Sequence, residues 1–362
     1  MKRALISCMA ALLMMPCFAK TPAQKLIKRL QQLEQRGYMF GHQDDPFYGT
    51  TWSRIGNMPD SMSAQTDVCS DTYLVTGDFP AVMGFDLGGI EKGDSRNLDS
   101  VPFTMIREEI RKHHERGGVI TISWHPRNPL TGGNAWDVKN NQTVRSILPN
   151  GEKHALFSEW MKRVADFLLT LNDSKGQPIP FILRPWHEYN GSWFWWGEKN
   201  CTAEDFRNLW NMFQDYVNSR GLKKNIVWSC SPNLQGNHTL SHFMERWPGD
   251  DRVDIVGEDA YQWGTVEDFI RQTTSDLDFL SAYAKKHKKL LAMTECGRQN
   301  SPYATWWTEI LKPIIDKYSI SYILCWRNYY KEHFGPAPDL CTKDDFIRFY
   351  NADNTLFLND IK

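Results

Sequence analysis

Eight short apolar segments recur along the 362-residue chain, and each one ends in polar or aromatic residues. Segments of this length and composition are typical of largely buried β-strands. The eight predicted strands are Tyr38–Gln43, Ala81–Gly88, Val119–Pro126, Phe181–Tyr189, Ile226–Pro232, Val253–Tyr261, Leu290–Gly297 and Ser321–Asn328.

Amphipathic helices are predicted between most of these strands. Apolar residues follow helical spacing from Phe206 to Val217, with Thr202 as the N-cap and Gly221 as the stop. The same spacing runs from Phe157 to Leu168, and another helix is predicted from its N-cap Thr265 to His287. Strands that alternate with helices, without a linker-like stretch, predict one domain folded as a (β/α)₈ TIM barrel with long βα loops.

The predicted strand ends carry an unusual set of side chains. Catalytic groups of this fold lie where the strands end. In chain order these ends are His42, Asp86, Trp124-His125, His187-Glu188, Ser231–Asn233, Asp259–Tyr261, Glu295 and Trp326-Arg327. Carboxylates, imidazoles and indoles gathered at one rim predict a functional site. For His42 and Asp86, an equal alternative is that they stabilise the barrel floor.

Two glutamates suggest the chemistry. Glu188 follows the fourth strand and Glu295 the seventh, and these strands face each other across an eight-stranded ring. Paired carboxyl groups that flank a bond are the equipment of glycoside hydrolysis, in which one is protonated and the other ionised. An apolar surround raises a carboxyl pKa, and for Glu188 it would come from Trp186, His187 and Trp193. Tyr261 could donate a hydrogen bond to Glu295.

The amino-acid composition limits the classes of ligand that the protein is expected to bind. The 42 basic and 43 acidic residues give a net charge of −1, and no run of like charge resembles a nucleic-acid or membrane patch. The 15 Trp, 13 Tyr and 19 Phe favour a neutral ligand with flat apolar faces, such as a sugar ring. No dinucleotide-binding glycine motif follows a strand, and no P-loop lysine occurs, so we expect no cofactor.

Three alternatives to a glycosidase remain. Glu188 and Glu295 could be ordinary rim carboxylates paired with arginine, the candidates being Arg184, Arg298 and Arg327. A non-catalytic sugar-binding barrel could use the same aromatic rim. A metallohydrolase could use His42, His125 and Asp259, but HExxH is absent, as is H-x-H on the first strand, so we expect no metal.

The N-terminus reads as an export signal. Lys2 and Arg3 precede an apolar stretch that ends at a small-x-small cleavage site, Cys17–Ala19. This predicts a signal peptide at residues 1–19, a catalytic domain at 20–362, and a monomeric protein that is periplasmic or secreted. A lipid anchor at Cys17 is the alternative. The apolar stretch is shorter than the ~20 residues that a membrane span requires.

The strand-end motifs resemble family 26 of the glycoside hydrolases, a retaining (β/α)₈ family best known for β-1,4-mannanases. The matching pieces are Phe40–Gln43, Trp124–Pro126, Arg184–Glu188 with Asn190, Asp259–Tyr261, Thr294-Glu295 and Trp326-Arg327. The resemblance implies cleavage of β-1,4 bonds in mannan, galactomannan or glucomannan by double displacement. β-Glucan and xylan are the alternative substrates.

The resemblance also implies roles for individual residues. Glu188 would be the acid/base and Glu295 the nucleophile, with His187 positioning the acid and Tyr261 holding the nucleophile. Three residues would contact sugar: Trp326 as the stacking floor, Trp193 on the leaving-group side, and Arg327 at the next sugar out. Further candidates for substrate binding are His125, Asp86, Trp124 and Asp259.

Two long segments could wall one end of the cleft. These are Arg127–Lys153, which follows the third strand, and Thr50–Thr76. We expect them to add sugar subsites or to close the cleft, which favours release of short products such as mannobiose. Arg127, Asn134 and Trp136 are candidates for sugar contact there.

Overall fold

Eight parallel strands close into a barrel in the computed structural model, which describes residues 19–59 and 66–362. The strands are β1 (Tyr38–Gln43), β2 (Val82–Asp86), β3 (Val119–Trp124), β4 (Phe181–Pro185), β5 (Ile226–Cys230), β6 (Ile255–Tyr261), β7 (Leu290–Gly297) and β8 (Tyr322–Cys325). Each strand pairs with the next, and β1 pairs with both β2 and β8, which closes the ring. The predicted (β/α)₈ barrel is confirmed.

All eight predicted strands are present, but several are shorter than predicted. The difference that matters for the site is at β4, which ends at Pro185 instead of Tyr189. Trp186 and Glu188 then adopt left-handed backbone conformations, with φ of 54° and 52°, and these turn the chain out of the sheet. Glu188 therefore lies on a turn beyond the strand rather than at its last position.

Helices connect the strands on the outside of the barrel. They are α1 (Pro22–Leu33), α2 (Asp71–Thr76), α3 (Phe103–Glu115), α4 (Thr143–Ile147), α5 (His154–Leu168), α6 (Ala203–Ser219), α7 (Leu240–Glu245), α8 (Val266–His287), α9 (Lys312–Ile315) and α10 (Lys343–Tyr350). Thr202 and Thr265 cap α6 and α8 as predicted, each accepting a hydrogen bond from a backbone N–H in the first turn.

Two apolar clusters hold the barrel together. The larger lies mainly between the strands and the outer helices, and it buries Trp160, Trp210 and Trp306. The smaller joins residues near the starts of the strands, such as Val119 and Ile182, to the apolar face of α1. A short strand, β9 (Thr355–Leu356), extends the sheet beside β1. The opposite end, where the strands finish, is left for the loops that carry polar side chains.

The predicted export signal falls almost wholly on residues 1–18, which lie outside the described residues. In the segments 19–59 and 66–362, no helix combines the length and apolar character needed to cross a bilayer.

Candidate active site

The loop after β4 presents Glu188 to the cleft at the C-terminal end of the barrel. The backbone N–H of Glu188 donates to the carbonyl of Ser231 at 2.7 Å, which ties the turn to the end of β5. A positive φ at a non-glycine residue costs on the order of 1–3 kcal/mol and persists only where the surroundings enforce it. Trp186 and Glu188 both have this conformation, and Trp186 is fully buried. The backbone is therefore strained where the chain delivers this carboxyl group.

Irregular pairing around β7 accompanies the placement of Glu295. The β6–β7 register shifts between Glu258 and Asp259, and the β7–β8 register shifts between Met293 and Cys296. Such bulges redirect side chains and often lie next to active sites. Together with the turn after β4, this arrangement leaves Glu188, Asp259 and Glu295 each with one carboxylate oxygen within 4.8 Å of the others.

Glu188 is nine-tenths buried and has two hydrogen-bond donors. Trp193 Nε1 donates to its Oε2 at 2.6 Å, and Asn233 Nδ2 donates to its Oε1 at 3.0 Å. Burial, followed by the negative charge of Glu295, raises the pKa of Glu188 to about 7, and the two donors offset part of this effect. A carboxyl group with this pKa can carry a proton near neutral pH and give it up during a reaction.

Glu295 lies on β7 and lines the same cleft, and both of its carboxylate oxygens accept hydrogen bonds. The Tyr261 hydroxyl donates to Oε2 at 2.5 Å, and a guanidinium N–H of Arg184 donates to Oε1. Arg184 is 1% exposed and forms a second ion pair with Asp259 at 2.9 Å. Burial alone would lower the pKa of Arg184. The carboxylates of Asp259 and Glu295 more than offset this effect, so the pKa of Arg184 is raised above its usual value. Glu295 is thus fixed as an acceptor with a defined orientation.

A chain of buried polar groups forms another part of the cleft. Asp86 Oδ2 lies 2.7 Å from His125 Nδ1, and His125 Nε2 lies 3.0 Å from His187 Nε2. Burial would lower the pKa of His125, but the charge of Asp86 more than offsets burial, so the pKa of His125 is raised. The pKa of His187 is well below its usual value because of burial and the nearby His125. These opposite shifts favour His125 over His187 as the ring that holds an additional proton.

The cleft has a volume of about 330 Å³ and is lined largely by aromatic side chains. Its walls are His125, Trp136, His187, Glu188, Trp193, Phe194, Asn233, Gln235, Tyr261, Trp263, Glu295, Trp326 and Phe334. Ligand sites of this kind combine apolar walls with a few convergent polar groups. Two carboxyl groups, one suited to donating a proton and one fixed as an acceptor, face this common space.

Eight of the predicted site residues line the cleft: Glu188, Glu295, His125, Trp136, His187, Trp193, Tyr261 and Trp326. Two others lie behind it and act on residues that line it. Asp86 is 1% exposed and bonds to His125, whereas Asp259 is fully buried and pairs with Arg184. Asp86 and Asp259 are therefore placed to support the cleft residues rather than to contact substrate directly.

Two predicted substrate-binding residues do not line this cleft. The expectation for Trp124 is corrected, whereas contact of Arg327 with the next sugar out stays a prediction. Trp124 is fully buried among aromatic residues, and its Nε1 donates to Glu91 at 3.1 Å, because the side chain of this strand-end residue points into the core. Arg327 does not line the cleft. Its guanidinium lies 3.3 Å from both Asp99 and Glu332, which satisfy its charge beside the cleft.

Several residues at the site were not singled out by sequence reasoning. Asn233 lay in a strand-end motif, but nothing in the sequence indicated that it would donate to Glu188. Trp263, which is 56% exposed, comes two positions after Tyr261 and follows no periodic pattern. Phe334 belongs to the irregular segment after β8. Arg184, named from the sequence as a possible partner of a rim glutamate, is buried and pairs with both Glu295 and Asp259.

A metal ion is poorly suited to the three carboxylates of the site. Glu188, Asp259 and Glu295 could surround a cation, but the guanidinium of Arg184 already bonds to two of them. A divalent ion would have to share these oxygens with a buried positive charge. The donor set therefore fits proton transfer and nucleophilic attack better than metal binding.

Comparisons with known proteins agree with this geometry. The model of glycosyl hydrolase family 26 matches residues 16–336. The chain is 41% identical to a GH26 β-mannanase from Bacteroides ovatus, whose structure superposes with a TM-score of 0.87 over 94% of this chain and 96% of that one. An endo-β-1,4-mannanase double mutant from Cellulomonas fimi is 29% identical, with a TM-score of 0.82 over 94% of this chain and 76% of that one.

A curated relative carries the same type of name. The chain is 29% identical over 279 residues to a mannan endo-1,4-β-mannosidase from Bifidobacterium adolescentis. The match covers 72% of this chain but only 28% of that protein. From the matched residues, the barrel and the paired carboxyl groups together, we conclude that the chain belongs to glycosyl hydrolase family 26.

Proposed function

We propose that the protein is a retaining glycoside hydrolase that cleaves β-1,4-mannosidic bonds in mannan, galactomannan or glucomannan. The observation that carries this proposal is the pair formed by Glu188 and Glu295. One carboxylate oxygen of each lies within 4.8 Å of the other, inside an aromatic cleft. Retaining glycosidases hold their two carboxyl groups about 5–5.5 Å apart, whereas inverting enzymes separate them by about 6.5–9.5 Å.

In the proposed first step, Glu188 is the acid and Glu295 the nucleophile. Glu188 donates its proton to the glycosidic oxygen, and that bond to the anomeric carbon breaks as a Glu295 oxygen attacks the carbon from the other side. A covalent glycosyl-enzyme forms and the shortened sugar chain leaves. Tyr261 and Arg184 orient the attacking carboxylate, and Trp193 and Asn233 orient the acid.

In the second step, Glu188 acts as the base. Ionised Glu188 removes a proton from water, the water oxygen attacks the anomeric carbon, and the bond to Glu295 breaks. Two inversions at one carbon give net retention. The pKa of about 7 at Glu188 suits both roles, because the group must bind and release a proton in each turnover.

The identity of the sugar rests on the family and on the aromatic lining. Trp326, Trp193 and Trp136 offer indole faces in the cleft, and sugar rings stack their apolar faces on such groups. An epimeric hydroxyl decides between mannose and glucose, so the choice of mannan follows the names of the relatives.

The test is the release of reducing sugar from mannan, glucomannan, xylan and lichenan, compared side by side. We expect the highest rate on mannan or glucomannan, and no release by the Glu295→Gln variant. A higher rate on xylan or lichenan would contradict the proposed substrate but not the mechanism. No release from any of the four by the folded wild-type protein would favour a non-catalytic sugar-binding barrel.

The loop that follows β3 supports a restricted cleft. Trp136 of this loop lines the cleft and stacks on His125, with ring centroids 5.5 Å apart. Arg127 and Asn134 line a neighbouring depression. We infer that this segment blocks one end and favours short products such as mannobiose. Chromatography of the earliest products from mannan tests this inference, and a broad ladder of oligosaccharides would contradict it.

We also infer that residues 1–19 direct export and that residues 20–362 form the catalytic domain. Support comes from the basic and apolar pattern of the N-terminus. The mature protein would then be periplasmic or secreted and active as a monomer. N-terminal sequencing of exported protein should begin at Lys20, and light scattering should give the mass of one chain.

A further inference from the structure

Outside the cleft, three metal-ligating side chains converge between two rim loops. Glu198 lies in a short 3₁₀-helix after β4, whereas His238 follows β5 and His242 lies on α7. One possible ligand atom from each lies within 4.8 Å of those from the other two. The two imidazole centroids are 4.5 Å apart. These three residues are called the His₂Glu cluster below.

The two oxygens of Glu198 face different imidazoles. Oε1 lies 3.0 Å from His242 Nε2, and Oε2 lies 3.9 Å from His238 Nε2. Ligands at about 2.0–2.1 Å around a tetrahedral zinc ion are separated by about 3.3 Å. Both carboxylate–imidazole distances differ from that separation by less than about 1 Å. The cluster is partly exposed, with 14% of the His238 side chain and 32% of each of the others accessible.

The hydrogen bond on the other side of His238 fixes which nitrogen faces the cluster. Its Nδ1 lies 2.7 Å from the carbonyl of Leu234, so Nδ1 carries the proton. Nε2 therefore faces the Glu198 carboxylate and is the ring nitrogen that is available to a metal ion. Metal-binding histidines typically donate their second nitrogen to a carbonyl or carboxylate in this way.

The backbone of Glu198 is held in place by hydrogen bonds, and its carboxylate forms no ion pair with lysine or arginine among the described residues. Its backbone N–H donates to Gly191 and its carbonyl accepts from Arg246, whose guanidinium is bonded to three backbone carbonyls. The carboxylate is therefore available to a metal ion.

We propose that the His₂Glu cluster binds one zinc ion, with water as the fourth ligand. Imidazole nitrogen and carboxylate oxygen are common zinc ligands, and three protein ligands leave one position open. Calcium and magnesium prefer sites made of oxygen alone. The sequence led us to expect no metal, because HExxH is absent and the first strand has no H-x-H. His238 and His242 did not stand out as ligands, and Glu198 is distant in sequence and is brought close to them only by the fold.

The ion would join the two loops that hold Glu188. The β4 loop carries Trp193, and the β5 loop carries Asn233 next to Leu234, the partner of His238. This consequence rests on the proposed function, whereas zinc binding itself does not. A protein that binds zinc but releases no sugar would contradict the function and leave the zinc site intact.

The test is a zinc titration of the full chain, purified without a histidine tag and freed of metal by a chelator. We expect one zinc ion per wild-type chain, and binding weakened at least about tenfold in Glu198→Gln, His238→Gln and His242→Gln. His287→Gln is the matched control, because His287 pairs with Asp250 alone and should leave binding unchanged. Excess calcium should not displace the zinc.

Thermal unfolding gives a second readout. Zinc should raise the melting temperature of the wild-type protein and of His287→Gln, but not that of Glu198→Gln, because an ion that binds only the folded state stabilises it. Absence of stoichiometric zinc binding by the wild-type chain would overturn the proposal. Unchanged binding by all three cluster variants would also overturn it, since the ion would then lie elsewhere.

Discussion

At the ends of β4 and β7 the carboxyl groups of Glu188 and Glu295 face a cleft, whereas at the end of β2 the carboxyl group of Asp86 faces other protein groups. Glu188 is buried against the charge of Glu295, and its pKa is raised to about 7. Asp86 is equally buried, but it accepts hydrogen bonds from Ser123 and the backbone of Gly88 and lies against His125. Although burial would raise the pKa of Asp86, these partners lower it.

On the proposed function, this contrast separates Glu188, which takes part in the reaction, from Asp86, which supports the structure. Asp86 has partners that favour its charge, so it stabilises the fold when ionised. Glu188 is ionised at a cost, because burial and a like charge oppose it. Active sites commonly retain such unfavourable groups, and stability is lost where function is gained.

The largest expected difference between the two sides is in activity. Glu188→Gln and Glu295→Gln should each lower kcat/KM on mannan by about 10³-fold or more, because each removes a group that acts on the reacting bond. Asp86→Asn should cost much less, since Asp86 acts only through His125. Rates on mannan measure this, with circular dichroism as the control for folding.

An activated substrate separates the roles of the two glutamates. An aryl β-mannoside with a good leaving group needs no acid in the first step, so Glu188→Gln should still release a burst of the aryl group, and Glu295→Gln should not. A burst from Glu295→Gln but not from Glu188→Gln would reverse the proposed roles.

Stability should respond to pH with opposite signs at the two carboxyl groups. The folded-state pKa of Glu188 is raised from 4.5 to about 7, so the cost of ionising it develops as pH rises through that window. Between pH 5 and pH 8, the wild-type protein should lose on the order of 2 kcal/mol of unfolding free energy relative to Glu188→Gln. Urea denaturation of both proteins at the two pH values measures this.

Asp86 supplies the matched comparison. Its folded-state pKa is lowered, so its stabilisation is present above its usual pKa of 3.8 and is lost as pH falls through the lower folded-state value. Asp86→Asn should destabilise the protein by about 1–3 kcal/mol at pH 7 and by less in acid. The comparison fails if Asp86→Asn is neutral at pH 7, or if Glu188→Gln gains nothing with rising pH.

Substitution of a tryptophan that lines the cleft and of a tryptophan buried in the core should also have different effects. Trp326 lines the cleft, so Trp326→Ala should lower kcat/KM on mannan by about tenfold through lost stacking. Trp124 is buried in the core, so Trp124→Phe should change kcat/KM little but lower the melting temperature by removing the bond to Glu91. Equal kinetic losses in the two variants would contradict the corrected position of Trp124.

The smallest effect concerns the pH profile. Activity should fall as pH rises through the pKa of Glu188, because the proton needed by the leaving group is then lost. The Trp193 hydrogen bond lowers that pKa, so Trp193→Phe should move the alkaline limb of kcat/KM to higher pH, by less than about one unit. Trp136→Phe, which lines the cleft without bonding a carboxylate, should leave the limb in place.

Sequence reasoning predicted the barrel because hydrophobic runs and helical spacing are local signals. It also predicted that Glu188 and Glu295 share one cleft, since each lies at or near the end of an apolar run and these ends meet at one end of the ring. It could not place Trp124, because a strand-end indole can point into the core or into the cleft without changing the pattern. Asn233 and the His₂Glu cluster depend on which loops meet, and only the closed fold determines that.

Double displacement by Glu188 and Glu295 is tested most directly by the configuration of the first product. Proton NMR of manno-oligosaccharide hydrolysis, recorded before the sugar has time to mutarotate, reports the anomer that the enzyme releases. We expect the β-anomer first, with the α-anomer growing in at the spontaneous rate. An α-anomer released first would contradict retention, and with it the assignment of Glu295 as the nucleophile.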